Sequence, residues 1–136
     1  MKVIRPFGPT IAKVKIPKEI IKDLNNYVDK IIENEKKLKD LDHGKKLAGN
    51  VKQEFILEKD FLVLSGWENF LKENTEKWIM ESVKKKISEF NIISSWVVRQ
   101  FQNEYNPTHW HSGHISGAGF LKVPKTFGNF SQKEKK

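Results

Sequence analysis

Apolar and polar residues alternate in TIAKVKI, residues 10–16, the pattern of a strand with one buried face. Pro17 follows, and proline suits the first turn of a helix. Ile20, Leu24, Tyr27, Val28, Ile31 and Ile32 then recur every three to four residues. That spacing predicts an amphipathic helix over about residues 18–39. DHGKKLAGN, residues 42–50, breaks the pattern with Gly44 and Gly49 and is expected to be loop. VKQEFIL, residues 51–57, is a candidate short strand. Leu71, Trp78, Ile79, Val83 and Ile87 form one stripe of a second helix, expected over about residues 66–87 and finished by Asn91.

The late part of the chain changes period. IISSWVVRQFQ, residues 92–102, is β-branched and aromatic, which favours a strand. Its alternation puts Trp96, Val98 and Gln100 on one face and Val97, Arg99 and Phe101 on the other. EYNPTH interrupts it, because Pro107 cannot donate to a ladder. GAGFLKV, residues 117–123, is expected to be another strand, closed by Pro124. Helices first and strands late imply an α+β domain whose sheet begins near the end of the chain. No repeat or low-complexity linker divides residues 1–136, so one domain is expected. Its helical part covers about 17–90, its β part about 92–124, and a basic tail spans 125–136.

Composition narrows the classes. Hydrophobic residues make up 38% of the chain, including nine Phe and four Trp, enough for a core. Cysteine is absent, which excludes disulfides and thiolate metal sites. MKVIRPFGPT has no apolar signal region, and no run approaches the ~20 apolar residues of a membrane span. A soluble, cytoplasmic protein without a membrane partner is expected. The net charge of +8 admits nucleic acid as a partner. The lysines, however, are mixed with acids on the expected solvent faces, as in ESVKKKISEF. Arg5 and Arg99 are the only arginines, and base-reading surfaces favour arginine, so nucleic acid is not the favoured partner.

Three of the four histidines fall within six residues, at 109, 111 and 114. His109 and His111 are two apart, so on an extended strand both imidazoles point the same way and can reach one ion. Imidazole suits Fe, Zn, Cu and Ni. Gly113 and Gly117 permit sharp turns beside them. His114 follows the Ser112–Gly113 bend, and its direction does not follow from parity. The spacing is equally compatible with surface or packed histidines near a turn.

The wider stretch carries more. Tyr105-Asn106-Pro107, His109-Trp110-His111, Ser116-Gly117 and Phe120-Leu121-Lys122-Val123-Pro124 stand in one line. Residues 96–124 resemble the iron(II)/2-oxoglutarate-dependent dioxygenases, in the prolyl-4-hydroxylase-like branch of small phage and marine-bacterial oxygenases. The preceding helices and PFGPTIAKV resemble that family only loosely. The resemblance implies support helices followed by the first strands of a double-stranded β-helix, or jelly roll. It implies hydroxylation of a C–H bond with Fe(II) as cofactor and 2-oxoglutarate as co-substrate. The substrate class stays open among a protein side chain, a nucleobase and a small metabolite.

By position, His109 takes the family's first ligand place and His111 the place of its acid. In the other register His111 stands first and Gly113 takes the acid position, as in halide-transferring members. Phe120 stands where related hydroxylases carry a Tyr that contacts 2-oxoglutarate. Lys122 offers a cation on the same face, though a solvent lysine explains it as well. After Pro124 the sequence KTFGNFSQKEKK contains no histidine for the distal ligand place. A jelly roll needs about eight strands, and roughly four or five are expected here. The resemblance therefore implies the N-terminal part of such an oxygenase, either a fragment or a product that ends early, its activity alone left open, with open strand edges that invite association.

Other residues have simpler readings. Arg99 among apolar neighbours needs a partner, expected in Glu104 or Glu54 or else in a substrate carboxylate. Trp110 is expected on the face opposite the two histidines, packed in the core. No GxxxxGK[ST] phosphate loop is present. A basic binding module for an acidic partner and a cupin-like Zn or Ni scaffold are the competing functions.

Overall fold

The computed structural model describes residues 1–125. The basic tail expected over 125–136 lies, apart from Lys125, outside the described residues. Two strands open the chain, β1 (Lys2–Ile4) and β2 (Ile11–Lys13), paired antiparallel with Val3 opposite Ala12. Gly8 turns between them at φ +108°. Thr10 fastens this hairpin to a later helix: its hydroxyl accepts from Trp78 Nε1 at 2.9 Å and donates to Ser82 Oγ at 3.0 Å.

The expected helix over 18–39 is two helices, α1 (Lys18–Ile32) and α2 (Glu35–Asp40). α1 starts after Pro17 and buries Leu24, Val28 and Ile31, which recur at four and three residues on one face. Asn34 makes the break. Its backbone is extended, and its side chain accepts from Lys37 N at 3.0 Å, capping α2. A 3-10 turn (Gly44–Lys46) leads into β3 (Gln53–Ile56). Two helices follow, α3 (Lys59–Leu64) and α4 (Trp67–Val83). The expected second helix is α4, which starts after Gly66, and α3 is an additional helix before it; the φ of +72° at Gly66 leaves the helical region and separates the two. α4 stops at Lys84, also left-handed at φ +58°, short of the expected residue 87.

β4 (Trp96–Arg99) pairs antiparallel with β3: Gln53 faces Arg99, Glu54 faces Val98, Phe55 faces Val97, and Ile56 faces Trp96. Opposed residues share a face. Phe55 and Val97 therefore point one way, Glu54 and Trp96 the other. Phe55 is 1% exposed, and Val97 packs on the core of Leu24, Leu57 and Leu62. Tyr27 stacks on Phe61 at 3.7 Å beside that core. The Tyr27 hydroxyl donates to Glu58; burial first, then Glu58, raises its pKa.

The fold is mixed α+β. Among the described residues the strands form two separate two-stranded sheets, and no jelly roll is present. GAGFLKV is not a strand: it has no ladder partner there, and strand geometry without one leaves backbone groups unpaired. Instead it lies against α1. Leu121 packs on the core, and Lys122 Nζ pairs with Asp29 Oδ2 at 3.2 Å. No helix among the described residues is long and apolar enough to cross a membrane.

Burial separates structural from dispensable aromatics. Phe55→Ala is expected to cost about 3–5 kcal/mol of stability. Phe7→Ala, at an exposed ring, should change it by less than about 0.5 kcal/mol. Urea unfolding followed by tryptophan fluorescence measures both.

Candidate metal centre

The segment that carries the histidines is held at its start. Glu104 closes the turn after β4, accepting from Phe101 N at 2.9 Å and from Lys52 N at 3.3 Å. Gln100 Nε2 donates to the Glu104 carbonyl at 2.6 Å. Asn103 takes the left-handed position of this turn at φ +68°. Asn50 N then donates to Tyr105 O at 2.8 Å, extending the seam past the β3–β4 ladder. Gly49 lets the chains touch: a Cβ there would stand 1.8 Å from Asn106 Oδ1. Pro107 and the histidines follow directly from this anchor.

His109 and His111 come together as their spacing suggests, although their segment is not a strand. Their Nε2 atoms are 3.0 Å apart. His109 Nδ1 lies 2.7 Å from Pro107 O. A carbonyl only accepts, so Nδ1 carries the proton and His109 Nε2 presents its lone pair. His111 Nε2–H then donates to it. His111 stacks on Trp96 at 5.6 Å, and His43 lies on Trp96 at 5.9 Å. Burial first, then Lys46, lowers the His43 pKa.

This pair suits a metal ion on donor grounds. Two imidazole nitrogens each about 2.1 Å from a metal and at right angles stand about 3.0 Å apart. A hydrogen-bonded Nδ1–H that frees Nε2 is also the usual arrangement of a ligating histidine. Among the described residues no three His, Asp or Glu side chains are placed to hold one metal ion together.

Among the described residues, none of the other expected site residues makes a hydrogen bond or ring contact with this pair. His114 is exposed beyond the Gly113 turn (φ +96°). Phe120 is 80% exposed, and Lys122 is engaged by Asp29. Trp110, expected in the core, is 85% exposed. Its backbone has no sheet to press it against. Arg99 pairs with neither Glu104 nor Glu54. It donates to Gln53 Oε1 across the ladder and lies 5.3 Å from the Phe101 ring centre. Cross-strand register decides that partner.

Glu54 is the residue that sequence reasoning undervalued. It is 1% exposed, and its Oε2 has no hydrogen-bond partner among the described residues. Burial pushes its pKa up, the negative charges of Asp42 and Glu104 add to that, and His109 pulls it back. The available signal was alternation: in VKQEFIL, Glu54 shares a face with Ile56, not with Phe55.

No protein-family model, curated protein or solved structure matches the chain.

Two outcomes follow. Glu104→Ala should weaken Zn(II) binding about tenfold without removing a ligand, read by competition with a chromophoric chelator. A carboxyl whose folded pKa is raised stabilises the fold below its unfolded pKa, and that stability is lost as pH rises through the folded value. In chelator-containing buffer, the parent chain should therefore lose stability relative to Glu54→Gln as pH rises from the acid range to neutral, measured by thermal unfolding.

Proposed function

We propose that the chain carries the metal-facing portion of a hydroxylase-type iron(II)/2-oxoglutarate-dependent oxygenase, with His109 and His111 as two metal donors. The observation that carries this reading is the 3.0 Å approach of the two Nε2 atoms, with His109 Nδ1 held by Pro107 O. The resemblance of residues 96–124 selects iron and 2-oxoglutarate among the metals and co-substrates that imidazole sites take.

Each residue has a physical task. Pro107 O keeps the proton on His109 Nδ1 and so keeps Nε2 available. Trp96 supports the His111 ring by stacking. Fe(II) with 2-oxoglutarate, when bound, supplies the oxidising chemistry for hydroxylating an unactivated C–H bond. Because position 111 is histidine and not an acid, the chain's two donors are neutral and leave the ion its full charge. Phe120 offers a ring for the co-substrate to pack on, without a hydroxyl. Lys122 offers its cation to a carboxylate by exchanging with Asp29, an exposed pair that costs little to open. The substrate is a protein side chain, a nucleobase or a small metabolite, met in the cytoplasm.

A structural Zn or Ni scaffold is the second reading. It is favoured by the lack of a carboxylate in the donor pair, since two imidazoles serve Zn equally well.

The test is anaerobic. Fe(II) plus 2-oxoglutarate should give a visible charge-transfer band that His109→Ala and His111→Ala abolish. If the parent chain gives no band but is stabilised by Zn(II) without 2-oxoglutarate, the scaffold reading replaces the oxygenase.

A further inference from the structure

Behind the histidine pair, on the face of β3 that carries Glu54, three oxygens surround the space in front of Gly44. A side chain begun at Gly44 would meet Asp42 Oδ1 at 3.3 Å, Glu54 Oε2 at 3.5 Å and Val51 O at 3.8 Å. Every one of these atoms is an acceptor. Asp42 Oδ1 already takes Gly44 N at 3.0 Å, but Glu54 Oε2 is fully enclosed and has no donor among the described residues. A buried carboxyl facing these acceptors needs either a proton or a positive centre.

We propose that Asp42, Glu54 and the Val51 carbonyl form a site for a hard divalent cation of the calcium class. The donor set is all oxygen, which favours hard cations over the softer metals that suit the imidazole pair. It mixes two carboxylates with a main-chain carbonyl, as calcium's flexible coordination allows and magnesium's strict octahedron disfavours. Gly44 leaves the space open, and Asp42, exposed on the surface, gives the ion its entry and room for water ligands. A single proton on Glu54 would satisfy one acceptor contact; a cation answers all three oxygens at once. Glu104 adds negative charge nearby. The site shares no donor with the histidine pair and does not rest on the oxygenase reading.

The experiment is a thermal melt of the full chain at about pH 8, after chelator removal, with and without about 5 mM CaCl2. Calcium should raise the Tm by at least about 3 °C. Glu54→Gln, which puts an amide donor among the acceptors, should fold and melt higher without calcium, yet show no calcium shift. Asp42→Asn should lose more than half of the shift. His109→Ala should keep it. Terbium luminescence excited through tryptophan is the second readout, because Trp96 shares the face of Glu54; calcium should displace it in the parent and find nothing to displace in Glu54→Gln. No Tm shift in the parent, a shift retained in Glu54→Gln, or a shift lost in His109→Ala would each overturn the site. The first of these would assign the buried position to a proton.

Discussion

The pairing of β3 with β4 is the constraint on which the site depends. Four cross-strand pairs set one register, and that register sends Phe55 and Val97 inward and Glu54 and Trp96 to the other side. A slip of one residue would exchange the two sets. The carboxyl would enter the core of Leu24, Leu57 and Leu62, and Trp96 would leave His111. The apolar contact of Val97 with the core opposes such a slip. The seam then continues through Asn50 and Tyr105, so the histidine segment leaves from a fixed place.

That face separates two kinds of donor by depth. The imidazoles of His109 and His111 lie exposed on the surface. Glu54 is buried, with Oδ1 of the exposed Asp42 and the Val51 carbonyl across the same space. Trp96 stands between His43 and His111 and touches both rings. In a chain of net charge +8, the local excess of acid around Glu54 runs against the overall balance. A buried carboxyl in such surroundings needs a proton or a positive partner.

Periodicity made much of this legible. The buried face of α1 and the β3 and β4 strands follow from spacing of three to four or of two. His109 and His111 also converge, but from a segment that is not a strand. The missed features turn on single local interactions. Asn34 ends α1 by capping α2, although apolar spacing alone gives no reason to stop. Gly66 separates α3 from α4 through one positive φ. GAGFLKV has a strand's alternation, but alternation supplies only a face; a ladder partner must come from elsewhere in the chain. Arg99 found Gln53 and not an acid because register, which composition does not encode, put Gln53 opposite it.

The joint use of His109 and His111 by one ion is the central claim, and imidazole nitrogen NMR reads it most directly. A long-range proton–nitrogen spectrum of the 15N-labelled chain distinguishes a protonated from a bare ring nitrogen. Without metal, His109 should show protonated Nδ1 and bare Nε2, and His111 protonated Nε2. During titration with Zn(II), the Nε2 signals of both residues should move together and finish at one equivalent. Movement of only one histidine, or completion at different equivalents, would contradict a shared site.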